Sequence, residues 1–165
     1  MILSRIYLVP NCRFLNRLNK FTTFFKGPTM IHTINKDHTI LSQKSRPATA
    51  DDVWIADDLR ETLAANAERC VGMAANMIGE LVAIIVFDNE GTYMEMFNPV
   101  ITQQSGSFEA VEGCLSLEGE RKVKRYQYIK VKYQDRNMVS RQKRFSGWTA
   151  QIIQHEVDHL GGTII

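Results

Sequence analysis

Near its end the chain reads QHEVDHL over residues 154–160, with two histidines four residues apart. On an α-helix, residues i and i+4 project from one face, so His155 and His159 could hold the same metal ion. Glu156 would then lie where a carboxylate can take a proton from a water molecule beside the ion. The neighbouring apolar residues predict a buried helix, in which unpartnered imidazoles would be costly. The motif therefore predicts a metal site on a buried C-terminal helix.

A third ligand must precede this helix, because none of the six residues after His159 is His, Cys, Asp or Glu. The candidates are two histidines in a polar segment and three cysteines: His32, His38, Cys12, Cys70 and Cys114. Cys114 lies in a tight loop between predicted strands, but its long separation from His155 makes the pairing a weak inference from the residues alone. Asp158 and Gln154 are candidate hydrogen-bond partners of the ligands.

The first 29 residues differ from the rest of the chain in charge. They carry five basic residues and no acid, whereas residues 30–165 carry 15 basic and 18 acidic residues, a net charge of −3. Such a leader is typical of a transit peptide, but an upstream extension before a natural start at Met30 is the interpretation we favour. We expect one domain over residues 30–165. Three cysteines predict a reducing compartment, and no stretch is long and apolar enough to predict a membrane span.

Hydrophobic periodicity predicts an α+β fold. The predicted elements are a short strand and loop within residues 33–45, a helix over 49–69, strands over 81–87, 93–97, 100–103, 126–133 and 138–145, and a helix over 148–160. Asn98-Pro99 predicts a turn between two of these strands. Residues 121–144 hold ten basic residues and one acid. Such a run could be a nucleic-acid patch, but because these residues partly alternate with apolar or aromatic ones, we favour a solvated strand face and expect no direct binding of nucleic acid. A modest role near RNA or an anionic substrate is the alternative.

The chain resembles the peptide deformylases, which remove the formyl group from the N-terminal methionine of new bacterial or organellar chains. That family carries a GxGxAAxQxG loop, an EGCLS loop and a QHExDHL helix, in this order. Residues 112–116 and 154–160 match the second and third motifs without a change. The resemblance implies antiparallel β-sheets around a central metal-binding helix. It also implies N-formylmethionyl peptides as substrates, possible proximity to the ribosome, and a bacterial cytoplasm, or an organelle if the leader is a transit peptide.

The resemblance also implies a set of site residues. Cys114 becomes the third metal ligand, with His155 and His159, and the metal would be Fe(II), with Zn, Ni or Co as substitutes. Glu156 becomes the general acid and base, and the Leu115 N–H would hold the formyl oxygen. The implied substrate contacts are the backbone of Gly72, the loop residue Gly113, the pocket walls Val71 and Ile152, and Met77.

The first motif departs from the family pattern at two positions. Cys70 stands where the family has glycine, and Met77 stands where it has a glutamine that donates a hydrogen bond to the oxyanion. Methionine has no donor, and losing one such donor costs on the order of 100- to 1000-fold in rate. We therefore expect a weakened deformylase. The alternatives are a non-catalytic binder of metal and formyl-peptides and, less in keeping with the motifs, a general metallopeptidase.

Overall fold

Apolar residues between positions 72 and 146 build one antiparallel sheet within the described part of the chain. The computed structural model describes residues 29–165, so the expected extension lies outside the described residues except for Thr29. The strands are β1 Gly72–Ala74, β2 Ile84–Asn89, β3 Thr92–Gly113, β4 Glu120–Gln134 and β5 Ser140–Ser146. Each strand pairs with the next along the chain, which gives the order β1-β2-β3-β4-β5. The α+β prediction is confirmed, with one sheet among the described residues.

Within residues 29–165, three helices accompany the sheet: α1 His38–Leu41, α2 Val53–Ala65 and α3 Gly147–Leu160. Short 3₁₀ turns at Ala50–Asp52 and Ala75–Ile78 complete the elements. Helix α3 begins one residue before the predicted start at 148 and ends at 160, as predicted. Helix α2 ends four residues earlier than predicted. Its end is set by Asn66, whose side-chain amide donates to the Thr62 carbonyl and whose own carbonyl accepts from the N–H of Cys70.

Two other expectations are wrong. The segment 33–45 holds no strand and contains α1 instead, because the Asp37 side chain caps the helix by accepting the Thr39 N–H at 2.8 Å. Residues 93–97 and 100–103 belong to one long strand, and the predicted turn between them is an irregularity in its register. Asn98 takes a positive φ of 52° there, and its side chain binds the backbone of Ala48.

The sheet lies between α2 and α3, and β2 is buried on both faces. Ile84 and Val86 join the core cluster of α2, whereas Ile85 and Phe87 join the cluster of α3. This two-sided burial explains why β2 is a continuous apolar run. Within residues 29–165, no helix has the length and hydropathy needed to cross a membrane. The packing fixes α3 against the sheet, and with it the motif at 154–160.

Candidate metal centre

Helix α3 brings the two histidines of the motif together. The Nε2 atoms of His155 and His159 lie 3.1 Å apart, and their rings meet edge to face. His159 is buried, with 1% of its surface exposed. Burial lowers the pKa of His159 to about 3, and the charge of His155 acts in the same direction. His159 is therefore neutral at pH 7, which is the form that binds a metal.

Cys114 approaches the two histidines from the turn that follows β3. Its Sγ lies 3.4 Å from His159 Nε2 and accepts the Ser116 N–H at 3.4 Å. One ligand atom from each of Cys114, His155 and His159 lies within 4.8 Å of the others. The turn therefore places Cys114 beside the histidines as the third possible ligand, and not Cys70, which is the other cysteine within residues 29–165. One sulfur and two imidazole nitrogens at this separation could hold one metal ion.

The surroundings of His155 favour positive charge. Burial alone would lower its pKa, but hydrogen bonds with Cys114 and Glu112 outweigh burial and raise the pKa to about 10. His155 Nδ1 lies 2.9 Å from a carboxylate oxygen of Glu112. An environment that stabilises a proton beside a thiol and a carboxylate also favours a cation in its place, with release of the proton. The donor set therefore fits a divalent metal.

Glu112 is a functional residue that the motif analysis missed, although it belongs to the quoted EGCLS loop. Besides His155, it binds Arg125 through two hydrogen bonds of 2.9 and 2.8 Å. Burial would raise the pKa of Glu112, but its hydrogen bonds with His155 and Arg125 lower it to about 2. Arg125 continues to Asp158 at 2.6 Å. A carboxylate that orients a ligating imidazole fixes its tautomer and raises its basicity.

The two candidate partners named from sequence act less directly. Asp158 binds Arg125 and so reaches His155 only through Glu112. Gln154 binds both backbone groups of Tyr126, at 2.9 Å each, and therefore fastens α3 to β4.

Glu156 lies beside the histidines and is buried, with 3% of its surface exposed. Burial raises its pKa to about 7, although the charge of His155 opposes the increase. The backbone of Ala74 forms a hydrogen bond with this carboxylate, and its Oε2 has no partner among the described residues. A carboxyl group in this state can both accept and return a proton near neutral pH.

Gly72 makes the position of Glu156 possible. A Cβ on Gly72 would lie 2.6 Å from Glu156 Oε1 and 2.6 Å from Ile152 Cγ2, closer than real contacts allow. Gly72 belongs to β1, which is the edge of the sheet. The Val71 carbonyl accepts the Asp88 N–H from β2, so the peptide groups of Gly72 point away from β2. The Gly72 carbonyl accepts the Cys70 thiol, with Sγ at 2.8 Å.

A cavity of about 390 Å³ lies among these groups. All the substrate contacts predicted from sequence line it, together with Cys114, His155 and Glu156: Val71, Gly72, Met77, Gly113, Leu115 and Ile152. Cys70, Val111, Gln151 and Trp148 also line it and were not predicted as contacts. Trp148 is 63% exposed at the rim of the cavity, in the first turn of α3.

The two departures from the family motif meet in this cavity. Met77 is buried and reaches the cavity without a donor. The neighbouring Asn76 donates to the His159 carbonyl at 2.8 Å, so its amide supports α3 and does not face the cavity. Burial raises the pKa of the Cys70 thiol to about 12, and the charge of Glu156 adds to the increase. Cys70 therefore remains a protonated thiol at neutral pH.

Comparison with known proteins agrees with this geometry. The family described as polypeptide deformylase matches residues 30–165. The peptide deformylase of Clostridium beijerinckii is 52% identical over 136 residues, which cover 82% of this chain and 100% of that protein. The deformylase structure from Thermus thermophilus has a TM-score of 0.74 at 33% identity, covering 82% of this chain and 83% of that one.

A class I type b peptide deformylase from Acinetobacter baumannii, solved with bound Met-Ala-Ser, has a TM-score of 0.75 at 27% identity. The match covers 82% of this chain and 97% of that one. The match of the family over residues 30–165, the relative at 52% identity and the shared fold lead to one conclusion. The chain belongs to the peptide deformylase family and is an enzyme of that family.

Proposed function

We propose that the chain hydrolyses the formyl group from N-formylmethionyl peptides, with a divalent metal held by Cys114, His155 and His159. One observation carries the proposal: the three ligand atoms lie within 4.8 Å of one another in a site that also holds the buried Glu156. The family supports the substrate class, and the relative with bound Met-Ala-Ser is consistent with an N-terminal methionine in such a cavity.

We propose Fe(II) as the native metal, with Zn, Ni or Co as substitutes. A thiolate beside two imidazoles suits this group of ions more than Mg²⁺ or Ca²⁺, which prefer oxygen ligands. When bound, the metal supplies a Lewis acid for the formyl carbonyl and activates water for attack. Glu112 then holds His155 in the tautomer that leaves Nε2 free for the ion.

Glu156 is the general acid and base of the proposed reaction. With a pKa of about 7, its carboxylate is available to take the proton of the attacking water. The same group can return that proton to the nitrogen of the departing methionine. The Leu115 N–H would hold the formyl oxygen, since it has no acceptor within residues 29–165. The second donor to this oxygen in the family is a glutamine, and Met77 stands at that position in this chain.

The substrate backbone would extend along the free edge of β1. Gly72 offers its peptide groups there, and Val71 and Ile152 form walls for the methionine side chain. The thiol of Cys70 already occupies one lone pair of the Gly72 carbonyl, so a peptide N–H would have to share this acceptor. Gly113, at the end of β3, would face the peptide from the other side of the cavity.

Met77 supports a second candidate, a weakly active or non-catalytic relative that binds metal and formyl-peptides. We place either activity on new chains in a bacterial cytoplasm, close to the ribosome. The activity would be located in an organelle if the leader directs import. The division of the chain at residue 29 stays a prediction.

Formate release from a formyl-Met tripeptide tests the proposal. The protein is purified without oxygen, loaded with Fe(II) or Ni(II), and checked for one metal per chain by elemental analysis. Wild type should release formate above the Glu156→Ala blank, and Met77→Gln should release it faster by about 100- to 1000-fold, the value of one oxyanion donor. Tight peptide binding with no turnover in wild type would favour the binder. No turnover in any metal-loaded protein would exclude a deformylase.

A further inference from the structure

The sheet has an open face on the side away from α3. Helix α2 packs against β1 and β2 on this side, and β3, β4 and β5 continue beyond it. Strand register places nine residues there in three rows: Val100, Lys132 and Gln142; Gln103, Lys130 and Arg144; and Ser105, Tyr128 and Ser146. We call these nine residues the basic face. The alternate residues Ile129, Val131 and Phe145 are buried in the cluster with α3, so the nine project outward.

The charges on the basic face are all positive and form no ion pair with any described residue of the chain. Lys130 and Arg144 are direct register partners on neighbouring strands. Like charges directly opposite each other destabilise a sheet. No acid is among the nine, and within residues 29–165 neither cation, nor the neighbouring Lys132, forms an ion pair. Arg125 and Arg136, by contrast, each bind a carboxylate. The basic face therefore lacks the anion that would relieve this repulsion.

The other residues of the basic face indicate which kind of anion could bind there. A shallow groove runs along it, lined by Gln103, Ser105, Tyr128, Lys130, Arg144 and Ser146. Tyr128 is 59% exposed, so its ring is open to a planar partner. An aromatic beside unpaired cations in a groove is the combination that holds single-stranded nucleic acid, by stacking one base and neutralising phosphates. The amide and hydroxyl side chains suit a ribose 2′-hydroxyl, which can both donate and accept.

We propose that the basic face binds single-stranded RNA, with phosphates at Lys130, Lys132 and Arg144 and one base stacked on Tyr128. This inference takes up the alternative that the sequence left open, a role near RNA, over the solvated strand face that we favoured from sequence. Alternation marks which residues point outward, but it cannot show that two cations lie opposite each other and form no ion pair within residues 29–165. The basic face is on the other side of the sheet from α3 and its histidines, so bound RNA would leave the cavity open.

Fluorescence anisotropy with a labelled 12-nucleotide oligouridine RNA tests the proposal on the full 165-residue chain. Three phosphate contacts on the basic face contribute about −2 to the slope of log K against log salt, and Lys130→Gln/Arg144→Gln should flatten the slope by about 1.4. At 100 mM salt, that change corresponds to a loss of affinity of roughly 10- to 30-fold. Tyr128→Ala should weaken binding at least about five-fold, from lost stacking.

A matched control removes the same charge elsewhere. Lys36 and Lys44 are exposed and lie outside the sheet, so Lys36→Gln/Lys44→Gln should bind RNA within about two-fold of wild type. The basic residues of the leader are present in every variant and contribute equally. Thermal melting and formate release check each variant, and Lys132→Gln/Arg144→Gln replaces the first pair if that pair fails to fold.

Four outcomes would overturn the proposal. They are no RNA binding at 50 mM salt, equal losses in the test and control pairs, full binding by Tyr128→Ala, or equal affinity for a DNA oligomer of the same length. A 12-residue polyglutamate peptide that binds as tightly as the RNA would assign the basic face to an acidic protein partner instead.

Discussion

Glu112→Gln is the substitution that most directly tests how the metal centre is supported. The wild-type carboxylate accepts hydrogen bonds from His155 Nδ1, Arg125 and the Gln151 amide at once. Glutamine keeps the shape and one acceptor oxygen but loses the charge. We expect the ligands to remain in place while His155 loses the partner that fixes its tautomer and basicity.

The size of the effect follows from these contacts. Losing such a partner of a ligating histidine costs about 10- to 100-fold in metal affinity. Removing one member of a buried ion pair costs about 3–5 kcal/mol, and Arg125 keeps Asp158, so the lower end applies to Glu112→Ala. In a domain of this size, 3 kcal/mol corresponds to roughly 10 °C in melting temperature. Glu112→Gln, which keeps an acceptor, should lose about half as much stability.

The assay measures Co(II) affinity by competition with a chelator, using the visible absorption of the thiolate-bound ion. Glu109→Gln is the matched control, since this acid lies on the same strand but is exposed. Melting curves of the metal-free proteins separate loss of stability from loss of binding. If Glu112→Gln holds Co(II) as tightly as wild type, or if Glu109→Gln weakens it equally, the proposed support of His155 by Glu112 is wrong.

Three further predictions concern single contacts. Gly72→Ala should lower formate release at least about 100-fold, since its Cβ would displace Glu156, while the protein still binds Co(II). Hydrogen bonds from Arg46 hold the pKa of Asp52 well below its usual range, so its stabilising effect is complete above about pH 4 and is lost as pH falls. Urea unfolding should therefore show the deficit of Asp52→Asn at pH 7 shrinking toward pH 3. Iodoacetamide at pH 8 should label Cys70 in the folded protein much more slowly than in urea, as mass mapping would record, because burial raises its pKa to about 12.

The elements that sequence predicts best are those whose burial is one-sided and periodic. Helix α3 and the strands predicted over 126–133 and 138–145 follow from apolar spacing, and α3, β4 and β5 confirm them. The register irregularity at Asn98 does not follow, because Asn-Pro predicts a turn equally well. What decides there is the contact of the Asn98 side chain with Ala48, 50 residues earlier in the chain. Local sequence propensity gives no information about a contact between residues so far apart in the chain.

The same limit applies to the metal centre. The spacing of His155 and His159 is local, so a helix alone brings them together. Cys114 lies 45 residues away from His159, and only the return of the chain through β4 and β5 places its sulfur 3.4 Å from that imidazole. The resemblance supplied this pairing where spacing could not. Neither the spacing nor the resemblance predicted a role for Glu112, because the role of a buried carboxylate on a strand is evident only when its partners are known.

The departures at Cys70 and Met77 affect one side of the site and leave the other intact. Both line the cavity in which we propose that the peptide binds, whereas the imidazoles, the thiol and the Glu112–Arg125 pair lie in contact with one another. A chain losing its metal would be expected to lose ligands or their supports first, since unpaired buried groups there are costly. The altered residues instead change how a carbonyl is held and how the Gly72 acceptor is shared. Within the proposed function, these contacts favour an enzyme with an altered substrate side over one that no longer binds a metal.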